Sequence, residues 1–289
     1  MDANTQSNLK KRHKDTLFRL FFKTTENFLY LLRHCRKADV SAEDIEPFDL
    51  DSAVALRVRR NDVSFITKDN RIIILVEHQS TINPNMAFRL FLYYVELLQL
   101  WLKKNDVNIF GESKIQNLPV PEFYVAYNGT KPLKKNVSIF RIEHEGLKID
   151  ATVNIVDIRF ENLEDTKPGN ALAGYSFFYK VYDDGINAGL SNEEAFKKAR
   201  EQCMEHNHMK GFIEKEDYIM FYKDFLDYDK QLEAKGKAEG KAEGKAEGAE
   251  KTISVAIRSK IPFSIIENMA KEANVSHQRL DELMKQCAG

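Results

Sequence analysis

The sequence predicts an α/β protein: a central sheet covered on both faces by helices, followed by a helical C-terminal extension. Three observations predict it. "NDVSFITKDNRIIILVEHQS", residues 61–80, holds two β-branched runs that are apolar on both pleat faces, as in strands buried from two sides. Segments with helical spacing stand before and after this pair. Near residue 235 the composition turns abruptly into a four-residue repeat, followed by two short amphipathic stretches.

At 289 residues the chain can bury a sizeable core and still carry an appendage. Its formal net charge is −1, so affinity for nucleic acid has to come from a local patch. No apolar run approaches the length of a membrane span, and the polar, basic N-terminus has no apolar signal core. Cys35, Cys203 and Cys287 are few, odd in number and far apart, which suits a reducing compartment and predicts a cytoplasmic protein.

In chain order, "DTLFRLFFKTTENFLYLLRHC" spaces Leu17, Leu20, Phe21, Phe28 and Leu31 as one helix from about Asp15, with "KKRHK" before it as a frayed basic arm. "PFDLDSAVALRVRR" reads as a first strand, and the quoted pair supplies two more. Asn83 and Pro84 then signal a helix start. Phe88, Phe91, Val95, Leu98 and Leu102 form that helix's core stripe, leaving Arg89, Tyr93 and Glu96 on another face. "PEFYVAYNG" and "LKIDATVNIVDIRF" are further strands, and residues 170–230 are helical, with a Ser191–Glu194 capping box.

The Lys-Ala-Glu-Gly repeat places Lys and Glu ridges on opposite sides of a helix, yet each glycine costs about 1 kcal/mol relative to alanine. It reads as a linker, helical when paired with a partner helix. Beyond it lie two short helices with Ser264–Glu267 and Ser276 as caps. A docking or dimerising hairpin is the favoured reading of these, over a DNA-binding helix-turn-helix. The predicted divisions are 1–230 for the main domain, 231–250 for the repeat and 251–289 for the hairpin.

"KDN" between the two opening strands is turn chemistry. With Asp69 and Asn70 as the loop, Lys68 pairs with Arg71, Phe65 with Ile74, and Asp62 lands opposite Glu77, with Gln79 on the same face as Glu77. Like charges opposed in a buried sheet repel, and burial disfavours ionisation further. Two partners can offset this. One is a hard divalent cation such as Mg2+, which takes one or two carboxylates and completes its shell with water and phosphate. The other is an arginine, Arg57 or Arg59, in a buried ion network. The spacing leaves both open.

Arg89 and Tyr93, one turn apart, suit either a phosphate clamp or a salt bridge of Arg89 to Glu96 with packing at a helix edge. "YNG", residues 127–129, is sufficiently explained as a strand-ending turn. Cys203, His206 and His208 have poor zinc spacing and read as a core cysteine with exposed histidines.

Asp…Glu-x-Gln on adjacent strands, followed by a helix, resembles the PD-(D/E)XK nuclease pattern with Gln in place of the usual Lys. "KDTLFRLFF", "NDVSFI", "VEHQSTINPNMAFRLFLYY", "PEFYVAYNG" and the C-terminal repeats resemble the Rpn family of recombination-promoting nucleases, often described as transposases. The resemblance runs from about residue 10 to 230. It implies a restriction-endonuclease-like core, a central mixed sheet flanked by helices, that cleaves DNA with Mg2+ or another divalent cation. Asp62 and Glu77 match the metal-binding acids, and the His78 backbone carbonyl would face the same metal. Gln79 matches the third motif position, and Asp15 matches an acid on the first helix. Gln79 can position but has no useful basicity. The expected partners are DNA and further copies of the chain, as a homodimer or higher homo-oligomer, with no membrane. The alternative is a catalytically weak DNA-binding or partner-binding module that keeps the nuclease fold; an RNA substrate is a third option.

Overall fold

The structure, a computed structural model, describes residues 14–48, 62–112 and 114–287. The chain divides into two compact units, one ending at Leu226 and the other beginning at Asp227.

The first unit is built on a mixed six-stranded sheet in the order β1-β2-β3-β4-β6-β5. The strands are β1 (Ile45–Pro47), β2 (Val63–Thr67), β3 (Ile72–Gln79), β4 (Val120–Tyr127), β5 (Val137–His144) and β6 (Leu147–Asp157). β3, β4 and β6 run parallel, so their carboxyl ends share one end of the sheet; the β1–β2, β2–β3 and β5–β6 pairs are antiparallel. Helix α1 (residues 14–22), α2 (Thr25–Arg36), α3 (Met86–Lys104), α4 (Ala171–Asn187), α5 (Asn192–Glu205) and the short α6 (Lys210–Ile213) accompany the sheet.

The β2–β3 hairpin has the expected pairing, with Phe65 opposite Ile74 and Val63 opposite Val76. Only Asn70 of the two turn residues takes the left-handed conformation, at φ 59°. Asp69 instead spends its carboxylate on the Thr67 hydroxyl and the Arg71 backbone N–H. One face of the hairpin packs Ile66, Ile73 and Leu75 against Leu90, Leu97 and Trp101 of α3. On the other face Phe65 stacks on Phe28 of α2 at 3.9 Å between ring centres. Truncating a ring buried like Phe65 costs about 3–5 kcal/mol.

Several expectations are corrected. The helix from Asp15 is two: Thr24, extended at φ −86°, breaks the run and its hydroxyl caps α2 by accepting from Asn27 N–H. Lys14 belongs to α1 and is buried, because Asp183 meets its ammonium at 2.9 Å. α3 starts at Met86, after the Asn83 side chain has turned back to accept from Asn85 N–H. Its buried stripe is Ala87, Leu90, Tyr93, Leu97 and Trp101, while Phe88 is 41% exposed beside Phe140 of β5. β5 itself was not foreseen. His208 is buried against Phe160 and Phe177 instead of exposed. The strand expected over "PFDLDSAVALRVRR" falls mostly outside the described residues, as do Arg57 and Arg59. The Ser191–Glu194 capping box forms as expected.

Helix α7 (Glu216–Arg258) runs for 43 residues and contains the whole repeat, whose Gly236, Gly240, Gly244 and Gly248 border open space. In the second unit its end packs with α8 (Phe263–Glu272) and α9 (His277–Cys287) around Ile253, Ile266, Ala270, Leu280 and Leu283. Ser276 caps α9 by accepting from Arg279 N–H. Ser264 already lies inside α8, so it forms no capping box with Glu267; Pro262 stands at the cap. Among the described residues no helix is long and apolar enough to cross a membrane.

Candidate active site

Two carboxylates meet where β2 begins and β3 nears its end. Pairing of Val63 with Val76 carries Asp62 to the position opposite Glu77. There the sheet ladder gives way to side-chain bonds. The Asp62 backbone N–H donates to Glu77 Oε1 at 3.1 Å, and the His78 N–H donates to Asp62 Oδ2 at 2.8 Å. Each acid therefore grips the backbone of the other strand, and the carboxyl groups are fixed side by side.

These bonds favour the ionised forms, but burial and like charge outweigh them. Desolvation, then the negative charge of Asp15, push the Asp62 carboxyl up to about 7 against the partial help of His78 N–H, Arg19 and Arg89. Glu77, only 3% exposed, is held well above the usual carboxylate range by burial first and by Asp62 second. Two such neighbours titrate as a pair, and near neutrality they retain a proton between them.

The cation in contact with Glu77 is Arg89 of α3. Its Nη2 lies 3.3 Å from Glu77 Oε2 and 3.2 Å from the Tyr93 hydroxyl, a single long contact to each. The Arg89 side chain is 38% exposed, so its remaining donors reach solvent. The Tyr93 ring sits in the core with its hydroxyl steadying the guanidinium. Glu96 is not the partner of Arg89.

Asp15, on α1, accepts from the His78 ring, with Oδ1 3.0 Å from Nδ1. Burial lowers the His78 pKa, so the imidazole is neutral and its Nδ1–H donates to the Asp15 carboxylate. The ring is enclosed by Phe18 and Tyr175 on the sheet face opposite Glu77. Its side chain thus fixes Asp15, while its backbone N–H and, by strand geometry, its C=O turn toward the Asp62 edge. Gln79 is buried with its Oε1 accepting from Asn83 N–H at 3.1 Å, so the amide braces the loop that follows β3.

Lys14 was missed because it closes a basic run that reads as a solvated arm. It is 1% exposed, salt-bridged to Asp183 and set over the Tyr179 ring at 4.8 Å, which pins the start of α1 and with it Asp15. No sequence signal foretold a partner so distant along the chain. Cys203 is a core residue whose thiol is raised to about 12 by burial.

Among the described residues no group of three or more His, Cys, Asp or Glu side chains is arranged to hold a metal ion. What converges at the sheet end is smaller: two carboxylates and a backbone carbonyl, all hard oxygen donors, with Asp15 near by. No curated protein and no solved structure matches the chain. Residues 53–131, which carry Asp62, Glu77, Gln79, Arg89 and Tyr93, match the family model described as "Putative transposase, YhgA-like".

Proposed function

We propose that this protein is a metal-dependent endonuclease with a restriction-endonuclease-like core, hydrolysing phosphodiester bonds of DNA in recombination or mobile-element movement. The observation that supports it is the Asp62–Glu77 pair: two acids held together at an electrostatic cost that a bound cation would relieve.

The donor set fits a hard divalent ion such as Mg2+, with Asp62, Glu77 and the His78 carbonyl as the residues that would hold it. Bound there, the ion would acidify a water and offset charge on the attacked phosphate. The chain's own residues do the rest. Arg89, already poised between Glu77 and solvent, can turn its free donors to a phosphate oxygen with Tyr93 steadying it. Asp15, oriented by His78, adds negative potential beside Asp62. Gln79 braces the loop and offers no base, so the proton from the attacking water passes to substrate phosphate or to solvent.

A second reading, a binding module with weak or no cleavage, draws support from the same Gln79 and from Arg89 already engaging Glu77. Supercoiled plasmid incubated with purified protein and Mg2+, against Asp62→Asn and an EDTA control, separates the two. Nicking that disappears in both controls supports hydrolysis at this site. Nicking that survives Asp62→Asn overturns the assignment, and plasmid retention without nicking favours the binding module.

A further inference from the structure

The loop after β4 carries chemistry that the acid pair does not use. Between Glu122 and Glu143 the sequence has no acid, yet it holds Lys131, Lys134, Lys135 and Arg141, in a chain whose net charge is −1. Arg141 is paired with Asp150. Lys131, Lys134 and Lys135 are exposed and make no ion pair among the described residues.

The loop is anchored despite its exposure. Asn128 N–H donates to the carbonyl of Gln79 at 3.0 Å, tying its root to the end of the strand that bears Glu77. Gly129 is pressed so close that a Cβ there would lie 2.1 Å from the Ser80 carbonyl oxygen. The Tyr127 hydroxyl donates to the Lys131 carbonyl at 2.6 Å, Leu133 packs on the α3-side core, and Ile155 N–H donates to the Asn136 carbonyl at 2.7 Å. With its backbone pinned, the loop has only the lysine side chains left to order when it meets a ligand.

Topology places them. The loop leaves the carboxyl end of β4, passes the carboxyl end of β6 and enters β5, all at the end of the sheet where Asp62 and Glu77 sit. At about 4.8 Å per strand, its far side stands roughly 15 Å from Glu77. At 3.4 Å per nucleotide that spans roughly four nucleotides of duplex. Of the arginines at this end, Arg159 is held by Asp157, while Arg89 contacts Glu77 and keeps donors free beside the acids.

We propose that residues 130–136 form a rail for the nucleic-acid backbone, with Lys131, Lys134 and Lys135 contacting successive phosphates beyond the scissile bond. The rail rests on the nuclease reading but acts through charge alone and carries no sequence preference.

The test is fluorescence anisotropy of a labelled 20-base-pair duplex with full-length protein, without divalent metal, across a salt series. Lys131→Ala/Lys134→Ala/Lys135→Ala is compared with wild type and with Lys68→Ala/Lys103→Ala/Lys114→Ala. The second triple removes equal charge from exposed positions at the opposite end of the sheet. Loss of three phosphate contacts should lower the slope of log affinity against log salt by about 2.7. The control triple should leave it unchanged. Equal loss in both triples, or an unchanged slope in the first, overturns the rail. Plasmid nicking by the wild type is scored separately. A rail-dependent slope without any nicking sinks the nuclease reading and leaves the rail standing, whereas nicking with an unaltered slope does the reverse.

Discussion

The two ends of the β2–β3 hairpin hold the same residue type in the same kind of bond, with opposite results. At the turn, Asp69 accepts from the Thr67 hydroxyl and the Arg71 N–H, and these bonds in open solvent draw its pKa down. At the far end Asp62 likewise accepts a backbone N–H, from His78, yet its carboxyl rises to about 7. The hydrogen bond does not decide the outcome; burial and the neighbouring charge of Asp15 do. The turn aspartate serves the fold. The paired one works against it, and groups kept at such a cost cluster at functional sites.

The largest test of that contrast is cleavage. Asp62→Asn should reduce Mg2+-dependent plasmid nicking by at least about a hundredfold, since even residues that merely support metal ligands are worth 10–100-fold. Asp69→Asn should leave the rate within about twofold. Comparable losses in the two variants would mean the hairpin tolerates no change at either end, and the functional distinction between them would vanish.

A smaller effect is expected in metal affinity. Below about 7 Asp62 holds its proton in the folded protein, so the pair offers one anion at most. Apparent Mg2+ affinity, read by calorimetry, should therefore rise as pH increases from 5.5 to 7.5, by up to about tenfold per unit. Asp69→Asn should trace the same curve. A flat profile in the wild type would show that the pair is already ionised, and that some cation of the protein itself answers its charge.

How much of this was legible beforehand differs along the chain. The hairpin register was, because two apolar runs around a polar "KDN" admit one pairing that buries both faces, and the facing acids follow by counting. The side that α3 buries was not. "MAFRLFLYYVELLQLWLKK" is apolar nearly all round, so the stripe through Leu90, Leu97 and Trp101 competes on equal terms with that through Phe91, Leu98 and Leu102 until a sheet chooses between them. β5 was hidden for the opposite reason: it is an edge strand whose Ile139 and Ile142 remain exposed, and its charged residues blur the alternation. Asp15 could be placed near the site by resemblance. The means of its placement, a neutral His78 ring on one side and buried Lys14 beside it, depends on long-range contacts that local pattern does not encode.

The smallest predicted effect is on stability, and here the two aspartates should differ in sign. In the folded state Asp62 keeps its proton up to about 7, while the unfolded chain releases it near 3.8. Between these values folding takes up a proton, so the stability Asp62 allows is present at low pH and lost as pH climbs to about 7. Asp62→Asn removes that loss. With EDTA present, its melting temperature should exceed the wild type's by about 5 °C at pH 8, with the gap closing toward pH 4. Asp69 has a lowered folded pKa, so its contribution is present above 3.8 and lost below. Asp69→Asn should accordingly melt slightly lower than wild type at pH 8, by about 1 °C or less for so exposed a group. Added Mg2+ should then raise the wild-type melting temperature and leave Asp62→Asn nearly unmoved. If Asp62→Asn instead melts lower at pH 8, the carboxylate is a net stabiliser of the strand end, and the cost that singles it out as a cation trap does not exist.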